Sequence, residues 1–390
     1  MKSLQAPSFE AFHCIGADCE DTCCDGWAVV VDQRTYEKYQ RCGDAELKPL
    51  LEKFVTLNAT GRTSDDYARI TLDGSRCPAL RDGLCLIQNK LGEEYLSKTC
   101  LTYPRVVNQV DEVVQRSLHL SCPEAARLVL LDPEPIRLRL EDRALDTSRV
   151  GSLVVVDTSK IGLSGKSYRY FTDIQARVIS LLQDRSAPLW KRLLTVGYGS
   201  ASDSEFAQPV PRPLLQLETV LEIIVGRISS DFTARSFLNC YEQFMRGLEW
   251  TDQSSMTDLE RRYTHAYSYY YAPFVAQHEY ILEHYLVNYV YKTLFPFGPQ
   301  ERKAESILPQ DESHGSQYAL VIVYYAIIKT LAIGLAALHK DAFAASHLVQ
   351  VIQTVSKTFE HSSSYPRRIL QMLAEKGMNN RAGMEALIAN

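Results

Sequence analysis

The first third of this chain is rich in cysteine. Nine of its ten cysteines lie within the first 122 residues, and the densest group reads Cys14-x4-Cys19-x3-Cys23-Cys24. Thiols gathered this closely hold a metal ion, hold an iron–sulfur cluster or form disulfides. The rest of the 390-residue chain contains only Cys240. The sequence therefore places sulfur chemistry at the N-terminal end and a different task in the remainder.

Eight of the cysteines form the predicted ligand set, while Cys42 and Cys240 stand outside the pattern as ordinary buried cysteines. The eight are Cys14, Cys19, Cys23, Cys24, Cys77, Cys85, Cys100 and Cys122. Soft thiolates suit both zinc and iron–sulfur clusters. The pairs Cys77-Pro78 and Cys122-Pro123 resemble the ends of ferredoxin-type ligand runs, and the Cys-x2-Cys knuckles of most structural zinc sites are absent from the sequence. An iron–sulfur cluster is therefore favoured, with zinc as the alternative and metal-free thiols as the third possibility.

Cys23 and Cys24 are neighbours, so they cannot easily approach one metal from the same direction. Either one ligates while the other packs, or each serves a different centre. Eight thiols can form two four-ligand sites, or one site with free or bridged cysteines left over. The spacing leaves these arrangements open.

The composition is that of an ordinary globular protein, with 46% hydrophobic and 23% charged residues. A net charge of −5 gives no reason to expect a nucleic-acid partner. The first seven residues lack the apolar core of a signal peptide. We therefore expect a cytoplasmic protein, in which thiols stay reduced and serve as ligands rather than disulfides.

The elements that must position the cysteines are predicted to be short and mixed. We expect strands at 27–32 and 67–73, a helix over 34–54 broken near Gly43, a helix over 85–100, a hairpin over 106–120 turning near Asp111, and a helix beginning at Cys122-Pro123. Further strand-like segments lie at 136–140 and 150–157. The fold class is mainly α: an irregular, cysteine-rich α+β metal or cluster domain over residues 1–150, followed by a helical domain over residues 151–390.

Helical periodicity dominates after residue 168. We expect helices over 171–182, 215–228, 237–248, 274–294, 318–338, 343–359 and 369–374, a linker at 208–213 and a loop at 300–315. Residues 318–338 are apolar except for Thr330 and Lys329. Because a charge at the bilayer centre costs roughly 2.5–3.5 kcal/mol, this segment is interpreted as a buried core helix and not a membrane span.

The cysteine-rich segment resembles a known family of zinc- or iron-chelating proteins and, more closely, the bacterial flagellin lysine-N-methylases. The resemblance covers the first third of the chain. It rests on Phe12-x-Cys14-x-Gly16-x2-Cys19-x3-Cys23-Cys24-x2-Trp27, Cys77-Pro78-x6-Cys85-x2-Gln88-x2-Leu91-Gly92, Thr99-Cys100-x2-Tyr103-Pro104-Arg105 and Ser121-Cys122-Pro123-Glu124. It implies S-adenosylmethionine as methyl donor, an iron–sulfur cluster of the 4Fe-4S type, and flagellin as the protein substrate.

Methyl transfer to lysine needs a neutral amine, since an ammonium has no lone pair. The cationic donor would be bound by aromatic faces and carboxylates. Trp27, Tyr103 and Arg105 are the candidate donor-binding residues, and Arg105, Tyr103 and Glu124 are the candidate catalytic residues. The alternative function is a non-enzymatic protein that binds or delivers zinc or iron.

The helical part is rich in tyrosine between residues 263 and 291, and Glu279 and Glu283 form an i,i+4 acidic pair. A groove lined by tyrosines and carboxylates would suit a lysine-bearing protein, so this domain is a candidate for substrate recognition. Aromatic residues at helical spacing are more often core, and core is the favoured interpretation.

Overall fold

The computed structural model describes residues 2–25, 29–59, 61–74, 76–142, 154–158, 170–199, 212–229, 233–251, 253–296, 314–362 and 364–389. The chain forms two compact units. The first lies within Met1–Leu128, Arg137–Val156 and Phe232–Arg235, and the second within Val129–Ile136, Asp157–Asp231 and Ser236–Asn390. Residues 208–211 of the predicted linker, residues 300–313 of the predicted loop, and residues 27–28 and 150–153 of two predicted strands lie outside the described residues.

A five-stranded mixed sheet forms one part of the first unit. Its strands are β1 (Lys2–Gln5), β7 (Arg105–Val110), β8 (Val113–Leu118), β9 (Arg139–Asp142) and β10 (Val154–Val156), in the order β10-β7-β8-β1-β9. The hairpin β7–β8 is antiparallel and turns at Asp111, whose φ is 51°. β1 runs parallel to β8, and β10 runs parallel to β7. The predicted hairpin is confirmed.

The other elements of the first unit carry Cys85 on a strand and Cys100 on a helix, while its remaining cysteines lie in the connecting segments. These other elements are the helices α1 (Pro7–Ala11), α2 (Gln33–Gln40), α3 (Leu47–Phe54), α4 (Leu86–Leu91), α5 (Lys98–Thr102) and α6 (Pro123–Leu130), and the strands β2 (Val29–Val31), β3 (Val55–Leu57), β4 (Ala68–Ile70), β5 (Leu80–Arg81) and β6 (Leu84–Cys85). Strands β2, β4 and β3 form an antiparallel sheet, and β5 and β6 form a two-stranded ribbon.

The single helix expected over residues 85–100 is wrong. Gly92 ends α4 with a φ of 90°, a conformation that side chains with a Cβ rarely adopt. Ser97 then caps a new short helix, α5, by accepting a hydrogen bond from the backbone amide of Cys100. Cys85 and Cys100 therefore lie at the starts of two separate helices.

The second unit is helical in all the parts that the structure describes as regular secondary structure. Its helices are α7 (Phe171–Leu182), α8 (Leu189–Tyr198), α9 (Pro213–Ile228), α10 (Arg235–Gly247), α11 (Met256–Ala266), α12 (Ala272–Lys292), α13 (His314–His339), α14 (Ala345–Phe359), α15 (Tyr365–Glu375) and α16 (Arg381–Ile388), with a π-helical turn at Tyr267–Tyr271. The structure is mainly α, as predicted. Helices α8, α11 and α16 have no counterpart in the sequence-based prediction.

Helix α13 is the centre of the second unit. It packs against α9, α11, α14, α15 and α16. Within the described part of the chain, Gly315–Ala342 is the one helix long and apolar enough to cross a membrane, and its apolar window is fully buried inside the protein. A helix that is apolar on every side belongs in a core, which confirms the buried-helix interpretation.

Lys329 is buried within α13, with 3% of its surface exposed. Its ammonium donates a 2.9 Å hydrogen bond to the carbonyl of Ile388 and lies 5.4 Å from the centre of the Tyr267 ring. Burial lowers the pKa of Lys329 to about 7, because the apolar surroundings disfavour the charged form.

Glu279 and Glu283 are occupied by arginines of the same unit. Glu283 accepts hydrogen bonds from Arg185 at 2.9 Å and from Arg192 at 2.8 Å. Glu279 accepts a 2.7 Å bond from Arg192. Glu283 and Arg192 are both nearly inaccessible to solvent. The acidic pair therefore fastens α12 to the segment that contains α8.

Most of the tyrosines in this region belong to the core. Five of them are buried, namely Tyr263, Tyr271, Tyr285, Tyr289 and Tyr291, whereas Tyr269 is 69% exposed. The favoured interpretation of the tyrosine-rich segment as core is confirmed for these five. Recognition of a protein substrate by the second unit stays a prediction.

Candidate functional site

One cavity in the first unit is lined by five of the eight predicted cysteine ligands. They are Cys23, Cys24, Cys77, Cys85 and Cys100, and the wall also contains Val29, Tyr39, Ile70, Ala79, Ile87, Leu96 and Tyr103. The cavity encloses about 440 Å³ of empty space, its mouth included. Four separated stretches of sequence thus bring their thiols to one place.

Four of these thiols share one apolar core, and we call them the inner group: Cys24, Cys77, Cys85 and Cys100. The backbone amide of Cys77 donates a 2.7 Å hydrogen bond to the carbonyl of Cys24, which joins the first two segments. Cys85 ends β6 opposite Leu80 and precedes α4, whose Ile87 and Gln88 amides donate hydrogen bonds to the Cys85 sulfur.

Asp32 positions Cys100, the last of the inner group. Its carboxylate caps α2 by accepting from the Thr35 amide at 3.0 Å, and it also accepts from the Lys98 amide at 3.0 Å. Because Lys98 opens α5, this one buried carboxylate connects α2 to the helix that bears Cys100. The Ser97 hydroxyl accepts from the Cys100 amide at 3.2 Å and fixes the same turn.

The pKa values of three inner thiols, Cys77, Cys85 and Cys100, are raised in the absence of a metal, so these thiols stay protonated at neutral pH. The pKa of Cys100 is raised to about 12, mainly by burial. The pKa of Cys77 is raised above its ordinary value, first by its hydrogen bond to Cys24 and then by burial. Binding a metal to such thiols must therefore displace protons.

The other four thiols are called the outer group: Cys14, Cys19, Cys23 and Cys122. Cys14 and Cys19 interact with Cys122 at the start of α6, whereas Cys23 interacts with Cys24, Cys100 and Cys14. Cys14 and Cys23 are exposed, and Cys122 is buried. Burial, with smaller contributions from the nearby Cys19 and Cys14 thiols, raises the pKa of Cys122 to about 11. Cys23 adjoins both groups, because it lines the cavity and also interacts with Cys14.

Three of the predicted catalytic and donor-binding residues, Tyr103, Arg105 and Glu124, lie next to the outer group. Arg105 donates a 3.0 Å bond to the carbonyl of Phe12, and its guanidinium lies 5.0 Å from the Phe12 ring centre. The hydroxyl of Tyr103 lies 3.0 Å from that of Ser121. Glu124 pairs with Arg127. Their predicted roles in catalysis and donor binding stay predictions.

The predicted donor-binding residue Trp27 lies outside the described residues. Burial raises the pKa of Tyr103 well above its ordinary value, and the nearby Cys122 thiol adds to the shift. Tyr103 is therefore a neutral hydrogen-bonding phenol at ordinary pH, with one side on the cavity and its hydroxyl beside the outer group.

The chemistry of the donor set fits a thiolate-bound cluster, since five sulfur atoms surround one cavity whose other wall atoms are largely apolar. Among the residues that the structure describes, no three His, Cys, Asp or Glu side chains form a site ready for a metal ion. A four-iron cluster places each thiolate on a different iron atom, so its ligands do not converge on one point.

Asp32 and Ser97 are site residues that sequence reasoning missed. Asp32 stands directly before a helical pattern, and Ser97 stands three residues before Cys100, which is the spacing of a helix cap. Both signals were readable locally. The contact between Asp32 and α5 spans 66 residues, and no local pattern indicates it.

Comparison with known proteins gives the class of this chain. Residues 199–387 match the FliB lysine N-methylase C-terminal domain. The chain is 34% identical over 140 residues to the flagellar biosynthetic protein FliU of Salmonella muenchen. The matched stretch covers 35% of this chain and 82% of FliU. No solved structure matches the chain.

Two lysine-N-methylases, from Salmonella typhimurium and Salmonella choleraesuis, are each 33% identical over 140 residues. The match covers 35% of this chain and 34% of each of them, so it spans about a third of their length. The class is that of the lysine N-methylases, which are enzymes. The chain belongs to the FliB lysine N-methylase family.

Proposed function

We propose that this protein transfers methyl groups from S-adenosylmethionine to lysine side chains of flagellin, and that its N-terminal cysteines hold an iron–sulfur cluster. The proposal of a cluster rests on one observation: five cysteines from four stretches of sequence line a single cavity. The flagellar protein FliU and the two lysine-N-methylases support the substrate class and the reaction.

The reaction has a simple balance. The neutral lysine amine attacks the methyl carbon, the carbon–sulfur bond of the donor breaks, and the donor leaves as a thioether. The methylated amine then carries the charge and can release a proton to solvent or a base. Tyr103, Arg105 and Glu124 are the residues near the outer group that would bind the donor or orient it. When bound, the cluster would supply an iron-based anchor for the donor.

The metal content is the first test. Protein purified without oxygen should contain iron and acid-labile sulfide in matching amounts and show a broad visible charge-transfer absorption. Zinc without sulfide would refute the cluster and make the thiols a structural zinc scaffold. The matched control is Cys240→Ser, because Cys240 is buried in the second unit and belongs to neither thiol group.

The second test is methyl transfer itself. Purified flagellin and S-adenosylmethionine are incubated with the protein, and lysine methylation is read by peptide mass spectrometry. Cys100→Ser should lose cavity-bound iron and methylation together, whereas Cys240→Ser should retain both. Donor binding is measured separately by calorimetry. A protein that binds iron and sulfide but neither binds the donor nor methylates flagellin would contradict the proposed reaction and favour iron storage or delivery.

A further inference from the structure

The eight cysteines divide into two groups of four when they are sorted by their surroundings. The inner group lies in one apolar core of β2, β4, α2, α4 and α5 residues. The outer group lies along the loop before β2 and at the start of α6. Cys24 packs against the apolar core, whereas Cys23 is exposed. Cys23 hydrogen-bonds to Cys24 and also interacts with Cys100 and Cys14, and it is counted with the outer group because the apolar core already provides four other thiols.

Three contacts assemble the outer group. Arg105 holds the carbonyl of Phe12, two residues before Cys14. The salt bridges of Arg127 connect Glu20, the neighbour of Cys19, to Glu124 on α6.

The third contact lies between the groups. The Tyr103 hydroxyl meets Ser121, the residue before Cys122, while Tyr103 also lines the inner cavity. Tyr103 thus lies between the inner and outer groups. The three segments of the outer group are held together by side chains that are not themselves metal ligands.

We propose that the protein holds two separate iron–sulfur clusters, one on Cys24, Cys77, Cys85 and Cys100, and one on Cys14, Cys19, Cys23 and Cys122. This inference rests on the iron–sulfur part of the proposed function. The two sites differ in access to solvent. The inner cluster is enclosed by apolar side chains, whereas the outer cluster has two exposed ligands and is open to small molecules.

Iron stoichiometry tests the division in the full-length protein, purified and reconstituted without oxygen. Two 4Fe-4S clusters require about eight iron and about eight sulfide per chain. Cys23→Ser and Cys24→Ser should each remove about half of the iron, from different sites. Combining Cys23→Ser with Cys122→Ser should remove no more than either change alone, whereas Cys24→Ser with Cys122→Ser should remove nearly all. Cys42→Ser is the control that should lose none.

A second measurement does not depend on variants of buried residues. An iron chelator added to the native protein should remove iron in two phases of equal amplitude, the outer cluster first. Cys14→Ser changes an exposed residue, and it should eliminate the fast phase with the circular dichroism of the protein unchanged.

The outcomes are distinct. Iron and sulfide for only one cluster in the unaltered protein, or complete iron loss in the folded Cys14→Ser variant, would overturn the two-cluster division and leave the proposed function standing. Full iron retention in Cys14→Ser would overturn it as well. Absence of both iron and sulfide would overturn the iron–sulfur part of the proposed function itself.

Discussion

Lys329 gives the second unit a pH-dependent stability that a single substitution should remove. The pKa of its amine falls from an ordinary value of 10.5 to about 7 in the folded protein, because burial disfavours the charge. Between these two values the unfolded chain binds the proton more tightly than the folded chain. Stability therefore rises with pH across this window, and below about pH 7 the contribution is constant because both states are protonated.

The magnitude follows from the size of the shift. Each pKa unit corresponds to about 1.4 kcal/mol, so the contribution changes by about 3 kcal/mol between pH 7 and about pH 9.5. Lys329→Met removes the titrating group and also the hydrogen bond to the Ile388 carbonyl. The lost hydrogen bond costs about the same at every pH. The pH dependence of the difference in free energy of unfolding between variant and parent therefore reports the titration of Lys329 alone.

Urea denaturation at the two pH values provides the assay. The free energy of unfolding of Lys329→Met relative to the parent should fall by about 3 kcal/mol from pH 7 to about pH 9.5. Thr330→Val is the matched control, since Thr330 is the next residue of α13, is fully buried and does not titrate. A relative stability of Lys329→Met that is the same at both pH values would refute the reasoning.

Three further substitutions, with Glu222→Gln as the control for the first, test the packing and the site. Glu283→Gln should lower the free energy of unfolding by about 3 kcal/mol, because it breaks a buried charge network. Glu222 forms an exposed salt bridge with Lys376, so Glu222→Gln should cost less than about 1 kcal/mol. Gly247→Ala should cost about 2 kcal/mol or more, since its Cβ would lie 1.9 Å from the Gly334 carbonyl oxygen. Ser97→Ala should cost about 1 kcal/mol through the lost helix cap and should weaken iron retention.

Denaturant titration and iron content measure these effects. Equal decreases in the free energy of unfolding for Glu283→Gln and Glu222→Gln would mean that burial does not set the strength of the charge network. A neutral Gly247→Ala would contradict the close approach of α10 and α13. Unchanged iron retention in Ser97→Ala would show that the cap does not position Cys100.

The sequence predicted those helices and strands whose hydrophobic pattern and turn residues all lie within a short stretch of the chain. The hairpin of β7 and β8 alternates along both strands, and Asp111 marks its turn. Helix α13 is a long apolar run with one lysine inside. Strand β1 offered no such signal, since it is only four residues long and obtains its partners from β8 and β9, more than one hundred residues away.

The sequence predicted which residues can bind a metal but not how they divide. Eight thiols could be selected by type and density alone. Their grouping depends on tertiary contacts such as the one between Asp32 and the Lys98 amide, which no period or spacing encodes. The helix expected over 85–100 failed for a local reason that the sequence did contain, namely Gly92 followed by the capping Ser97.

The order of the five-stranded sheet has a consequence for dividing this protein into fragments. Both of its outer strands, β9 and β10, follow α6 in the sequence. A fragment cut soon after α6 would keep every cysteine of both groups but would leave β1 and β7 with unpaired edges. Exposed edges of this kind pair with other chains. Such a fragment is expected to aggregate for a reason unrelated to its thiols, so its loss of solubility should not be attributed to missing metal.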